Sequence, residues 1–308
     1  YHDMNAATTN DVIHVCTSTP HHHNMIIESI EKGKHILVEK PLTQDLNEAL
    51  DIYKAVKEKK VHLSVIQNYR CYPVVSRIRQ RRLSGYLGKI VSINGIGHSR
   101  FPTGWTRNTW LYHSEAVLYD FTPHLVDIML WINNQPAKRV AAFGGDASQS
   151  GMKFMNSAHI LVEFMDDSVV NIDTSWLTGS SIFQLEIHGT GGHVSLDVKN
   201  DIGYEIHGTV TPFDDIRSFV NRIKQTAIRV INKDFFKGPM GYFQPFLKQY
   251  FDFLNNKSGK LPVSIEEGLM TNAVLAAAAL SIKEKRIIDI EEIIKPKSII
   301  DDIKKFYS

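Results

Sequence analysis

Apolar residues come in two rhythms along this chain, and the rhythm changes near residue 88. Before that point, short apolar runs alternate with stretches of helical period. Val12-Ile13-His14-Val15-Cys16 reads as a buried strand, and a helical run with Ile26, Ile27 and Ile30 on one face follows. Gly33 stands where a helix C-cap belongs, and Ile36 to Val38 forms a second apolar run. Asp45-Leu46-Asn47-Glu48 resembles a capping box ahead of Leu46, Ala49, Leu50, Tyr53 and Val56 at helical spacing. A third strand is expected from His62 to Ile66. Strand–helix–strand–helix–strand with short loops implies right-handed crossovers and a parallel sheet.

Beyond residue 88 the period shortens to two. Ile90 to Ile96 alternates, as do Ala158 to Phe164 and Ser168 to Trp176, with Met165-Asp166-Asp167-Ser168 as the turn between the last two. Phe183 to His188 and His193 to Leu196 form another pair, joined by Gly189-Thr190-Gly191-Gly192. These elements predict a mainly antiparallel sheet whose buried face needs helices against it, and the Ala-rich run from Asn272 to Ile282 is the last strong helix. The fold class expected is therefore α/β plus α+β: a parallel sheet over residues 1–88, then an antiparallel-sheet domain packed with helices over 89–308, its last helices returning to the first part.

A parallel sheet has a functional consequence. Thr17 to His22, Glu39 to Pro41 and Gln67 to Arg70 all follow strands, so all three leave the sheet at its carboxyl edge, where open α/β sheets bind ligands. Composition narrows the classes. With 43% hydrophobic and 22% charged residues over 308 positions, the chain is an ordinary globular one with room for two domains. A net charge of +2 offers no electrostatic footprint for nucleic acid. Two cysteines, Cys16 and Cys71, are too few for a disulfide framework and point to reduced thiols in the cytoplasm. No uninterrupted apolar run is long enough to span a bilayer, so no membrane segment is expected.

Three groups of residues could carry chemistry. Lys40 lies between Glu39 and Pro41 just past a strand end; it is either an exposed partner of Glu39 or an ammonium that assists deprotonation of a substrate hydroxyl. Asp120 and His124 are four apart, which on a helix puts them on one face, with Leu125, Ile128, Met129 and Ile132 as its buried stripe. That pair is either a proton relay or a structural histidine at a helix start. His21-His22-His23 looks like a metal cluster, but consecutive side chains diverge, and a metal-free loop and helix start is the better reading. Gly189 to Gly192 joins two strands rather than a strand and a helix, so it reads as a hairpin and not a phosphate loop. From Phe213 to Val230 an apolar face (Ile216, Phe219, Val220, Ile223, Ala227, Val230) is interleaved with Arg217, Arg222, Lys224 and Arg229. Such a helix could lie on a membrane; packing on the sheet or on another subunit is favoured.

In order along the chain, these motifs resemble the glucose–fructose oxidoreductase/inositol dehydrogenase/MocA family of NAD(P)-dependent oxidoreductases. The likeness runs through the strand ending at Thr17 with His22 five residues on (Ser18 replacing the usual Pro), Gly33-Lys34-His35 leading to Glu39-Lys40-Pro41, and Gln67-Asn68-Tyr69-Arg70 with Pro73. It continues through Gly85 to Ile90, then Asp120, His124 and Asp127 with Thr122 in place of a common Gly, and Leu261 to Ser264 with Glu267-Gly268 and Ser281. The resemblance implies a dehydrogenase using NAD or NADP on a sugar, polyol or sugar-nucleotide. His124 would take the hydroxyl proton with help from Lys40, and Asp120 would orient His124 or touch substrate. Thr17, Ser18, Thr19, His22, Glu39, Lys40, Gln67 and Asn68 would line the cofactor. Arg70, Trp105, Arg107 and Trp110, placed between the two motifs, are substrate candidates, and no metal is implied. The family also implies a homo-oligomer, a dimer or tetramer built through the antiparallel sheet. No Gly-rich strand-to-helix turn precedes Gly33, whereas the family has one about 60 residues before the first strand seen here. The Rossmann sheet is thus expected to be partial, lacking its N-terminal part, with weak NAD(H) binding by the 308-residue chain. A non-catalytic cofactor- or sugar-sensing protein on the same fold is the alternative.

Overall fold

The computed structural model describes residues 11–101, 115–147, 154–207, 212–231 and 242–307. Three short strands, β1 (Val12–Val15), β2 (His35–Val38) and β3 (Leu63–Val65), pair in parallel in that order. Their register aligns Val15 with Val38 and Val38 with Val65, so the following loops leave the sheet side by side. The crossovers are α1 (His22–Glu31), ended by Gly33 at φ +67°, and α2 (Leu46–Lys59), whose first turn is capped by the Asp45 carboxylate accepting from the Asn47 N–H. Strand β1 stops one residue earlier than its apolar run suggests. Cys16 is therefore an exposed free thiol at the start of a loop, not a buried strand residue.

After a single tight turn at Asn68–Cys71, α3 (Pro73–Leu83) leads into an eight-stranded sheet. Its strands are β4 (Ile90–Arg100), β5 (Ala137–Gly145), β6 (Ser157–Phe164), β7 (Val169–Ser175), β8 (Leu177–Gly189), β9 (Gly192–Asp197), β10 (Ile202–His207) and β11 (Ile288–Asp289). The order is β10-β9-β8-β4-β7-β6-β5-β11, and every adjacent pair is antiparallel except β4 with β7. The edge strands β10 and β11 lie outside the alternating runs. The burial of β6 alternates along its length, as a sheet with one covered face requires.

Helices α4 (Ala116–Asp120), α5 (Thr122–Asn133) and α8 (Ile265–Glu284) fill the covered side. Helix α5 lies so close to β4 that a Cβ on Gly97 would sit 2.5 Å from Leu125 and 2.9 Å from Phe121. Helix α8 begins with a reciprocal capping box between Ser264 and Glu267 and packs on α2, β3, α5 and β5, tying the two sheets together. It is long and apolar enough to cross a membrane by composition alone, but 78% of that stretch is buried inside the protein, as a core helix. The chain does not end its helical part there. After α9 (Ile290–Ile293), α10 (Lys297–Tyr307) buries Ile299, Ile300, Ile303 and Tyr307.

Helix α6 (Pro212–Ile231) departs from expectation. It adjoins β10, yet its apolar face is not laid on the sheet: Phe213, Ile216, Phe219 and Ile223 are all exposed. Helix α7 (Phe243–Leu254) instead inserts Phe246 and Tyr250, and the Tyr250 hydroxyl donates to the Ile36 carbonyl at 3.1 Å.

Candidate active site

The three loops at the carboxyl edge of the small sheet are held in place by backbone-directed side chains. His22, fully buried, places Nδ1 3.0 Å from the Pro41 carbonyl and 3.2 Å from that of Leu42, and Nε2 3.1 Å from the Thr17 carbonyl. It staples the loop after β1 to the loop after β2, and it has no surface left for a cofactor. Burial lowers its pKa, against the pull of those carbonyls, so a neutral ring donates to one side at a time. His22, expected at the cofactor, holds the two loops that would meet it. His23 turns the other way to meet Asp51 at 2.8 Å, and no metal-holding group of histidines and acids occurs among the described residues.

Lys40 follows β2 across a cis Lys40–Pro41 bond. Its ammonium donates to the Asp120 carboxylate at 2.7 Å and to the Asp120 backbone carbonyl at 2.6 Å. Glu39 is not its partner; burial pushes that carboxyl above the usual carboxylate range, against the opposing charge of Lys40. The two bonds to Asp120 explain the geometry one turn later. In a continuous helix the Asp120 carbonyl would accept from the His124 N–H, but it accepts from Lys40, and the His124 N–H reaches the Phe121 carbonyl at 3.3 Å. The break separates α4 from α5, and the carboxylate of Asp120 is held by Lys40 rather than by the imidazole. Thr122 fixes the junction, its hydroxyl donating to the Val117 carbonyl at 2.9 Å and meeting Thr174 at 3.0 Å.

His124 is half-buried, and its Nδ1 is shielded without a hydrogen-bond partner. Burial, and secondarily the charge of Lys40, hold its pKa well below 6.5, so the ring is neutral, with one nitrogen lone pair free, at physiological pH. Tyr69 packs on it with ring centroids 4.6 Å apart and the planes tilted by 49°, and also contacts Phe183 at 4.8 Å and Tyr72 at 5.1 Å. Burial and the nearby Asp120 charge push the Tyr69 phenol up to about 12.

Arg70 lies deeper than a substrate contact can. Its Nε and Nη2 clasp both oxygens of Asp127 at 2.8 and 2.6 Å, and Nη1 donates to Glu267 at 2.8 Å and to the Pro262 carbonyl at 3.1 Å. Only 5% of the residue is exposed. It staples the turn after β3, helix α5 and helix α8 together. Trp105, Arg107 and Trp110 lie outside the described residues.

The remaining edge residues fit one end of a nicotinamide cofactor. Thr17 is exposed and Ser18 half-exposed, whereas Thr19, Gln67 and Asn68 are buried. The side-chain carbonyl of Gln67 is buried with no partner, an acceptor suited to a carboxamide N–H. No Gly-rich turn leads into a helix at this edge among the described residues, so no pyrophosphate cradle is present there. Tyr69 and Asn272 escape sequence reading. Tyr69 is a single aromatic in a loop without periodicity. Asn272 did leave a trace, as a lone amide in an apolar helix; it donates to the Thr43 carbonyl at 2.8 Å and hydroxyl at 2.9 Å, anchoring the loop after Lys40 to α8.

Comparison with known proteins decides the lineage. Residues 1–67 match the oxidoreductase family with an NAD-binding Rossmann fold, and residues 75–195 match the GFO/IDH/MocA C-terminal domain. The chain belongs to the GFO/IDH/MocA oxidoreductase family. Myo-inositol 2-dehydrogenase of Thermotoga maritima is 24% identical over 300 residues, which cover 92% of this chain and 81% of that protein. Levoglucosan dehydrogenase of Pseudarthrobacter phenanthrenivorans is 24% identical over 212 residues, 59% of this chain and 54% of that protein, so this alignment spans about half of the relative. The WlbA dehydrogenase of Bordetella pertussis, solved with NADH and UDP-GlcNAcA, shares the fold at a TM-score of 0.77 and 19% identity over 94% of this chain and 82% of that one. In this GFO/IDH/MocA chain the Lys40–Asp120 pair and His124 therefore stand on a dehydrogenase-family scaffold.

Proposed function

We propose that this chain transfers hydride between NAD or NADP and a hydroxyl-bearing carbon of a sugar, polyol or sugar-nucleotide, with His124 and Lys40 moving the proton. The observation that carries this reading is the His124 imidazole, kept unprotonated beside a lysine that is already oriented by Asp120. A bound nicotinamide supplies the hydride acceptor. His124 takes the hydroxyl proton on its unprotonated ring nitrogen. Two of the three Lys40 N–H donors are committed to Asp120, which leaves one to hold the substrate oxygen as negative charge gathers on it. Tyr69 keeps the imidazole plane in place and presents an aromatic wall. Thr17, Ser18, Glu39 and Gln67 are proposed to meet the nicotinamide end. The relatives named above act on an inositol and on levoglucosan, which supports a small polyhydroxylated substrate.

The test uses the natural polypeptide read from its own start codon, assayed with NAD and NADP against inositols, anhydrosugars and nucleotide sugars. The proposal expects turnover of at least one, and a kcat loss of roughly 10²–10⁴-fold in both Lys40→Met and His124→Asn, the range for removing a general acid–base group. A wild-type protein inert to the whole panel while still binding NADH would replace the enzyme with a sensor.

A further inference from the structure

Helix α6 is amphipathic, yet it turns its polar side inward. The Gln225 side-chain amide clasps the edge strand β10, donating to the Gly203 carbonyl at 2.8 Å and accepting from its N–H at 3.1 Å. At 100° per residue, the apolar positions 213, 216, 219, 220, 223, 227, 230 and 231 lie on the side of the helix opposite Gln225. Among the described side chains of α6, Gln225 alone is half-buried and the rest are exposed; Phe213 is 78% exposed, Phe219 64%, Ile223 55% and Ile231 77%. Water is a poor solvent for that face. With two Phe, three Ile and two Val, the patch amounts to on the order of 800 Å², more than the roughly 300–600 Å² of the largest patch on a typical monomer. It matches the approximately 800 Å² per partner that a stable interface buries.

We propose that α6 pairs with α6 of a second copy of this chain, antiparallel across a two-fold axis near residues 222 and 223. One observation selects this occupant: the exposed face alone supplies the area one side of a dimer needs, and in an antiparallel pair the same face meets itself, the isologous arrangement of a two-fold dimer. This contact is separate from the outer face of the eight-stranded sheet, which is a second route to association.

Sedimentation velocity of the full 308-residue chain, alone and as the Phe219→Asp/Ile223→Asp double variant, tests the pairing. The wild type is expected to be an even oligomer and the double variant to have half its mass, with the wild-type melting temperature falling on dilution toward that of the variant, because pairing stabilises the folded state. In a Cys16→Ser background, Ile223→Cys is expected to form a disulfide-linked dimer under mild oxidation. A monomeric wild type, or an unchanged mass in the double variant without cross-linking, overturns the proposal. So does a double variant that melts below the wild type diluted to its dissociated form, which would show the face packed within its own chain. Sedimentation of wild type, but not of the double variant, with vesicles of 30% phosphatidylglycerol in phosphatidylcholine, by a chain that is monomeric in solution, would assign α6 to a membrane surface instead.

Discussion

Replacing Arg70 by Met separates a structural staple from a substrate contact. In the wild type burial works against the guanidinium charge, but Asp127 and Glu267 outweigh it and hold Arg70 more firmly protonated than usual. Asp127 is 1% exposed and Glu267 4%, so removing the cation leaves two carboxylates facing each other out of water. Breaking a buried pair in this way costs about 3–5 kcal/mol. An unfolding entropy of about 2.1 cal/mol/K per residue amounts to about 0.65 kcal/mol/K over 308 residues, so the melting temperature should fall by about 5–8 °C. The deficit has a pH signature. Burial already raises the Asp127 pKa against the pull of Arg70, and loss of Arg70 raises it further. Between the unfolded and folded pKa values the native variant binds more protons than the unfolded chain, so its stability falls as pH rises through that window. Urea titrations of both proteins at pH 5 and pH 8 should therefore show a gap that widens toward pH 8. Normal stability at both pH values, combined with a KM raised 100-fold or more, would refute the staple and return Arg70 to the substrate.

His124 should put the acid limb of the oxidation-direction pH profile below pH 6.5, because a general base acts deprotonated and both burial and Lys40 lower its pKa. Lys40→Met should move that limb upward while cutting kcat; a limb above pH 7 in the wild type would contradict the assignment. The same depression means that the folded state binds fewer protons at His124 than the unfolded chain, so stability supported by the neutral ring is lost as pH falls below 6.5, visible as a melting temperature that falls more steeply in the wild type than in His124→Asn, where the likewise depressed His22 still contributes. Gly97→Ala should push α5 off β4 and cost about 1–3 kcal/mol, read in a urea melt, because its Cβ would press on Leu125 and Phe121, the residues flanking His124. Tyr69→Phe, which keeps the ring against His124, should retain most of kcat, whereas Tyr69→Ala should lose about tenfold or more; equal losses would place the role in the hydroxyl instead.

What sequence reading captured and what it lost divide by physical range. Strand–helix alternation from Val12 to Val65 and the hairpins at Asp166 and Thr190 are local: apolar period and turn chemistry suffice for them. The Lys40, Asp120 and His124 cluster was legible because one residue ends a strand and the others are one helical turn apart. Its internal wiring was not. Whether Asp120 serves the imidazole or the lysine depends on an 80-residue contact that diverts a backbone carbonyl out of the helix. The ion pairs of Arg70 were out of reach for the same reason. An arginine after a strand end looks like a ligand contact until carboxylates 57 and 197 residues away close on it.

Helix α6 marks a different boundary. Amphipathicity specifies that one face prefers an apolar neighbour, but it carries no information on which neighbour, so periodicity alone could not tell a sheet from a second subunit. The Gln225 clasp on Gly203 excludes the first of these by occupying the sheet edge with the polar face. The loops around Lys40 show the converse arrangement. There His22 and Asn272 spend their polar atoms on backbone carbonyls of the loop from Pro41 to Thr43, so Lys40, the proposed proton-relay lysine, is aimed by a hydrogen-bonded frame behind it. His22→Ala should accordingly lower kcat while leaving Lys40 and His124 chemically intact.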